Sequence, residues 1–107
     1  MKKVKLKLKY DEVHALQEYI VAHANQTPAD LPKAYKWQWR MIQAVVITWA
    51  VKVQSRIAFR QAKPYSITLD APTACAFMLY FGWTSADNYL EFVVLRIQAI
   101  IDQTYAS

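Results

Sequence analysis

The chain has 107 residues, of which 55% are hydrophobic and only one is glycine. A chain of this length is expected to form a single domain, residues 1–107, with one core, and so little glycine disfavours folds built from tight hairpins. The net charge of +5 is segregated, since residues 1–10 and 31–63 carry basic groups and no acidic ones. These features predict a mostly helical protein whose basic surfaces attract anions or pair with its acidic segments.

Lysine and apolar residues alternate through residues 3–10. A period of two predicts a β-strand with one buried face and one solvated face of lysines. Asp11 then suits the N-cap of a first helix, which we expect to end near Asn25. The inward-facing stripe of this helix is expected to be Val13, Leu16, Ile20 and Ala24. Residues 27–30 and Pro32 predict a short turn ahead of the next helix.

Residues 33–63 are expected to form one long helix. Pro64 would close it, because proline disfavours helical angles in the residue before it. Between residues 41 and 51 only Gln43 and Thr48 are polar, and a helix that is apolar around its circumference needs neighbours on every side. The long helix is therefore predicted to run through the middle of the fold.

The second half of the chain repeats the order of strand and helices. Residues 65–69 alternate and predict a second strand, and Asp70 suits the N-cap of a helix over residues 71–81. Gly82 is expected to end that helix in a left-handed conformation, and residues 84–87 are expected to cap a last helix. The last helix has one apolar stripe and part of a second: Leu90, Val93, Val94, Ile97 and Ile101, then Tyr89, Phe92 and Ala99.

The predicted fold is a predominantly α-helical α+β domain, with four helices and two short strands in βααβαα order. Asp11 and Asp70 lie in similar segments 59 residues apart, and Asp30 and Asp87 end similar segments 57 residues apart. An internal pseudo-twofold repeat with halves 1–63 and 64–107 is therefore a hypothesis. Under it, the two strands would occupy equivalent places and pair with each other.

Residues with catalytic or metal-binding chemistry are few. His14 and His23 are nine residues apart on one predicted helix, so they point to opposite sides. Asp11, His14 and Glu18 share a face, for which solvation is a better explanation than a metal site. Cys75, the single cysteine, has apolar neighbours that predict a buried, inert thiol and fit a cytoplasmic location. We therefore expect no enzymatic activity, no cofactor and no metal.

Basic and aromatic residues occur together along the long helix. Trp37 and Trp39 lie about 200° apart on a helix, so one of them is expected near the surface. Residues 52–63 would add a continuous cationic ridge, and the strand lysines a further basic face. Cations on phosphates and rings on bases could then bind nucleic acid. The candidate nucleic-acid-binding residues are Lys36, Trp37, Arg40, Lys52, Arg56, Arg60 and Lys63. The alternative is that they form a solvated helix face or an oligomer interface.

The favoured function is a small non-enzymatic interaction or scaffold protein that acts as a homodimer and binds a protein partner. The long helix and the last helix each carry more apolar circumference than one small set of neighbours can cover, which favours a dimer. The alternative is a nucleic-acid-binding accessory protein. A membrane partner is not expected, because neither apolar run approaches the ~20 residues that span a bilayer.

Overall fold

The computed structural model describes residues 2–59, 61–83 and 88–106, with Trp83 described by its backbone alone. These residues form four α-helices and two antiparallel strands in the predicted βααβαα order, so the fold is a predominantly helical α+β fold. The elements are β1 (Val4–Leu8), α1 (Tyr10–Ala22), a 3-10 turn (Lys33–Tyr35), α2 (Lys36–Arg56), β2 (Tyr65–Leu69), α3 (Ala71–Trp83) and α4 (Asn88–Thr104).

The two strands form one antiparallel ribbon. Val4 lies opposite Leu69, and Leu8 lies opposite Tyr65. Side chains alternate between buried and exposed along both strands, as the period of two predicts. The inner face, which packs on the helices, consists of Val4, Leu6, Leu8, Tyr65, Ile67 and Leu69. The prediction that the strands pair is confirmed, whereas the internal repeat remains a hypothesis.

The first turn of α1 is capped by a glutamate. The helix begins at Tyr10 with Lys9 as its N-cap, and the Lys9 N–H donates a hydrogen bond of 2.8 Å to Glu12 Oε1. The prediction of an N-cap at Asp11 is therefore wrong. Glu12 is buried and also accepts a hydrogen bond from Arg96 of α4. This tertiary contact fixes the start of α1 two residues before the position that local propensity favours.

The helix α2 is shorter than predicted and ends at Arg56. Pro64 does not close it, because Ile57 already leaves the helix with φ −93° and ψ 3°. The Ile57 side chain is buried, and the Tyr65 hydroxyl donates a hydrogen bond of 2.9 Å to the Phe59 carbonyl. The chain thus turns early, and this turn brings β2 beside β1.

The prediction that neighbours surround α2 on every side is wrong. Its inner side packs on α1 and α3 and buries Trp39, Gln43, Val46, Trp49, Ala50 and Val53. On the opposite side Trp37 is 75% exposed, Met41 65% and Val51 56%. Within the described residues this side of α2 lies open, and the helix lies at the surface of the fold.

The helix α3 begins as predicted but ends differently. Asp70 Oδ1 accepts a hydrogen bond of 2.9 Å from the Thr73 N–H, which confirms the N-cap. Gly82 does not adopt a positive φ, because the helix continues to its next residue, so the predicted left-handed cap is wrong. Cys75 is exposed rather than buried, since its apolar neighbours in sequence lie on other sides of the helix. The predicted cap of α4 in residues 84–87 lies outside the described residues.

Aromatic rings join α2 to α3. Trp39 stacks on Tyr80 with ring centroids 5.2 Å apart and an angle of 9° between the planes. Trp49 meets the ring of Phe77 edge-on at 6.1 Å. Burial, with a smaller contribution from neighbouring Tyr19, raises the pKa of Tyr80 to about 12, so its hydroxyl stays neutral. These contacts fix which side of α2 faces the core and leave the other side free.

Candidate interaction surfaces

The outward side of α2 carries a regular stripe of exposed residues, which we call the α2 seam. Successive members are separated by four, three, four, three and four positions, and they lie within about 80° of one another on the helix. This alternation is the a/d spacing of helices that pack along their length. The α2 seam consists of Trp37, Met41, Ala44, Thr48, Val51 and Ser55, all of them exposed.

Two flanks border the α2 seam. One flank consists of Arg40, Ile47 and Gln54, and the other consists of Gln38, Val45 and Lys52. Each of these sets has a cation, a half-buried β-branched residue and a glutamine. The helix contains no acidic residue. The surface is thus uncharged along its centre and neutral or positive at its edges.

The helix separates the predicted nucleic-acid-binding residues. Lys36 and Arg40 lie on one flank, while Lys52 and Arg56 lie on the other, with about 160° between Lys36 and Arg56. Arg40 and Lys52 are also about 18 Å apart along the helix axis. Trp37 lies between the two flanks on the α2 seam. The helix therefore holds these cations in two groups that face different directions.

The predicted continuous ridge over residues 52–63 is wrong, because the helix ends at Arg56. Lys63 lies beyond the helix in a bend and is exposed. Arg60 lies outside the described residues. Phe59, which lies between Arg56 and Arg60 in the sequence, is 86% exposed and lines none of the cavities described below.

A second basic surface, which we call the lysine face, lies on the outer side of the β-ribbon. It consists of the exposed side chains of Lys3, Lys5, Lys7 and Lys9. The strand register places Thr68 opposite Lys5 and Ser66 opposite Lys7. The alternation in the sequence indicates the lysines, but the hydroxyls beside them depend on the pairing with β2, which local sequence does not reveal.

Asp70 connects the lysine face to α2. Hydrogen bonds from the side chain and the N–H of Thr73 lower the pKa of Asp70, and the charges of Lys52 and Lys3 lower it further. The same region contains an open cavity of about 430 Å³ between α2, β2 and the start of α3, lined in part by Lys52, Thr68 and Asp70. One flank of the α2 seam therefore adjoins the lysine face.

Another open cavity, of about 530 Å³, is lined in part by Tyr19, His23 and Trp39. Its polar groups hold the chain after α1: Trp39 Nε1 donates to the Gln26 carbonyl at 3.2 Å, and His23 Nδ1 lies 2.9 Å from the Tyr19 carbonyl. A smaller apolar cavity of about 180 Å³ lies beside Leu31. In the part of the chain that the structure describes, no three His, Cys, Asp or Glu side chains could hold a metal ion.

Comparison with known proteins gives no relative. No family model matches the chain, and no curated protein or solved structure is similar to it. No helix among residues 2–59, 61–83 and 88–106 is both long and apolar enough to cross a membrane. The described residues define a class, a small helical α+β protein with an exposed stripe along α2 and a cationic sheet face, and function has to be argued from such surfaces.

Proposed function

We propose that this protein is a non-enzymatic interaction protein that acts as a homodimer, and that the α2 seam is the contact between the two copies. The exposed a/d spacing along the whole of α2 carries this proposal. Such a stripe is stable when a second helix covers it. The residues of the α2 seam and its flanks favour a second copy of this chain as the source of the covering helix.

An antiparallel pair of α2 helices would be self-complementary in size. With the twofold axis between Ala44 and Thr48, Trp37 of one copy meets Ser55 of the other, and Met41 meets Val51. Each layer joins a larger side chain to a smaller one. The small residues at the centre would let the two backbones approach closely. A parallel pair would instead stack Trp37 on Trp37 at one end and leave two serines facing each other at the other.

The flanks support the same arrangement. In an antiparallel pair, Arg40 lies opposite Gln54 of the second copy, and Lys52 lies opposite Gln38. Val45 faces its own equivalent near the axis, as Ile47 does on the other flank. Arg40 and Lys52 are thus each placed beside a neutral amide, so neither of them opposes a like charge in this arrangement.

Pairing through the β-ribbon is a less favourable route to a dimer. The edge of β1 has lysine at every second position, and the backbone hydrogen bonds of an added strand would bring two rows of lysines together. The α2 seam has no such obstacle.

The test is the mass in solution by light scattering and sedimentation velocity over a wide concentration range, in a Cys75→Ser background because the exposed thiol could form disulfide dimers. The parent protein should be a dimer. Ala44→Lys/Thr48→Lys should be monomeric and folded, because it places four lysines at the centre of the contact. Ala99→Lys, the same kind of change on the exposed side of α4, should leave the dimer intact.

Three results would contradict the proposal: a monomeric parent protein, an unchanged dimer in the doubly substituted variant, or a dimer lost through Ala99→Lys alone. Cross-linking distinguishes the orientations. In the antiparallel pair, cysteines introduced at position 44 lie about 6 Å apart along the axis, and those at position 37 about 27 Å apart. Only Ala44→Cys should form cross-linked dimers readily.

A further inference from the structure

We infer that the lysine face binds the phosphate backbone of nucleic acid without sequence preference. This surface differs from the residues on α2 that the sequence suggests for nucleic acid, and it does not depend on the proposed dimer.

The spacing of the lysine face suits an extended polyanion. Alternate residues of a strand are about 6.8 Å apart, so the row from Lys3 to Lys9 extends about 20 Å. The hydroxyls of Ser66 and Thr68 lie beside Lys7 and Lys5 on the neighbouring strand. Lysine ammonium groups and serine or threonine hydroxyls are common phosphate ligands in protein–DNA contacts.

The charge at this face is strongly positive. Neither β1 nor β2 contains an acidic residue. At one end of the face the Glu12 carboxylate accepts the Lys9 N–H and pairs with Arg96. At the other end the Asp70 carboxylate accepts the Thr73 N–H as the cap of α3. Lys52 contributes a fifth cation from the side of α2, since its charge acts on the same carboxylate. Five cations beside two carboxylates that already have partners favour an anionic partner.

The composition of the face favours nucleic acid over an anionic membrane. Proteins that lie on membranes insert apolar or aromatic side chains between the headgroups. The outward residues of the ribbon between Lys3 and Lys9 are lysines, and across from them are hydroxyls, so this face has nothing to insert. It also lacks an aromatic ring for base stacking. We therefore expect recognition of phosphates alone.

Fluorescence anisotropy with labelled duplex and single-stranded DNA of unrelated sequences tests the inference. Five phosphate contacts predict a slope of log Kd against log salt of about 4.5 on duplex, so affinity should fall roughly 500-fold between 50 and 200 mM salt. Sequence should change the affinity little. Absence of binding at low salt would overturn the inference and leave the lysines as a solvating face.

Two variants with equal charge changes locate the site. Lys3→Gln/Lys5→Gln/Lys7→Gln/Lys9→Gln should weaken binding at least about 100-fold, whereas a control that neutralises Lys33, Lys36, Arg40 and Lys63 in the same way should retain most of it. Equal losses in both variants, or a greater loss in the control, would overturn the inference. Lys5→Arg/Lys7→Arg keeps the charge and should bind like the parent protein. Circular dichroism checks that each variant is folded.

Lipid vesicles test the alternative partner, an anionic membrane surface. Phosphatidylserine vesicles should bind more weakly than duplex DNA at equal salt, because the lysine face offers charge without an apolar anchor. Tighter binding to vesicles that depends on the same four lysines would assign the face to a membrane surface and overturn the inference.

Discussion

Asp70 illustrates how one exposed side chain fixes both a helix start and a pH dependence. Its carboxylate caps α3, and the hydrogen bonds from the side chain and the N–H of Thr73 hold its pKa below the ordinary 3.8. Because the pKa is lower in the folded state, the charged form stabilises the fold. That contribution is present above pH 3.8 and is lost as the pH falls through the folded pKa.

Substitution of Asp70 should separate the contribution of the helix cap to stability from the contribution of the negative charge. Asp70→Ala should lower the free energy of unfolding at pH 7 by about 1 kcal/mol, because the Thr73 N–H loses its acceptor. Asp70→Asn keeps an acceptor and should lose less. Urea unfolding at pH 7 and in acid checks this: the difference in stability between the parent protein and the Asp70→Asn variant should shrink as the pH falls below 3.8. A difference that does not change with pH would contradict the charge effect.

The pair of tryptophans shows what helical periodicity can and cannot predict. A spacing of two residues requires Trp37 and Trp39 to face different ways, and only Trp37 is exposed, as expected for one of them. Which of the two is buried depends on distant residues. Trp39 stacks on Tyr80 and donates to the Gln26 carbonyl, contacts that local sequence does not contain.

At the scale of elements, the hydrophobic pattern predicts the type and order of every helix and strand but not the environment of α2. The apolar run at its centre indicates burial, yet burial needs partners, and α1 and α3 cover only its inner side. Local sequence signals do not predict the end of α2 either. Residues 57–63 contain no proline or glycine, and the helix ends because Ile57 packs in the core and β2 has to reach β1.

Prediction of the candidate surfaces from the sequence is limited in the same way, because these surfaces depend on contacts between distant segments. The cationic residues of α2 are visible in the sequence, but whether they converge depends on the length and orientation of the helix. The hydroxyls beside the strand lysines depend on a pairing between residues about sixty positions apart. Binding surfaces assembled from distant segments are therefore harder to predict than the elements that carry them.

The proposed packing of α2 makes a prediction about size complementarity. Ser55→Trp should weaken the dimer at least about tenfold, because two tryptophans would compete for one layer at each end. Trp37→Ser should also weaken it, because two serines leave that layer empty. The double variant Trp37→Ser/Ser55→Trp exchanges the partners and should recover most of the affinity. Sedimentation equilibrium measures all three, and a double variant weaker than both single variants would contradict the antiparallel register.

At the scale of the whole molecule, side chains from the last helix hold the first segments in place. Arg96 of α4 forms a salt bridge with Glu12, which in turn accepts the Lys9 N–H at the start of α1. The Tyr105 hydroxyl donates to the Lys2 carbonyl at 2.8 Å, close to the end of α4. The lysine face lies between these two attachments along the chain, so α4 supports the strand that presents it.

Loss of the Arg96 guanidinium should therefore destabilise the whole fold rather than one helix. Glu12 is buried, and without Arg96 its carboxylate would keep a single backbone donor, so Arg96→Met should lower the free energy of unfolding by about 2 kcal/mol. Arg96→Lys keeps a positive charge within reach of the Glu12 carboxylate and should lose less stability. In the double variant Glu12→Gln/Arg96→Met no charge is left buried, so its loss should be smaller than the sum of the two single losses. Urea unfolding of the parent protein, the two single variants and the double variant measures this coupling, and strictly additive losses would show that the salt bridge contributes nothing beyond its separate parts.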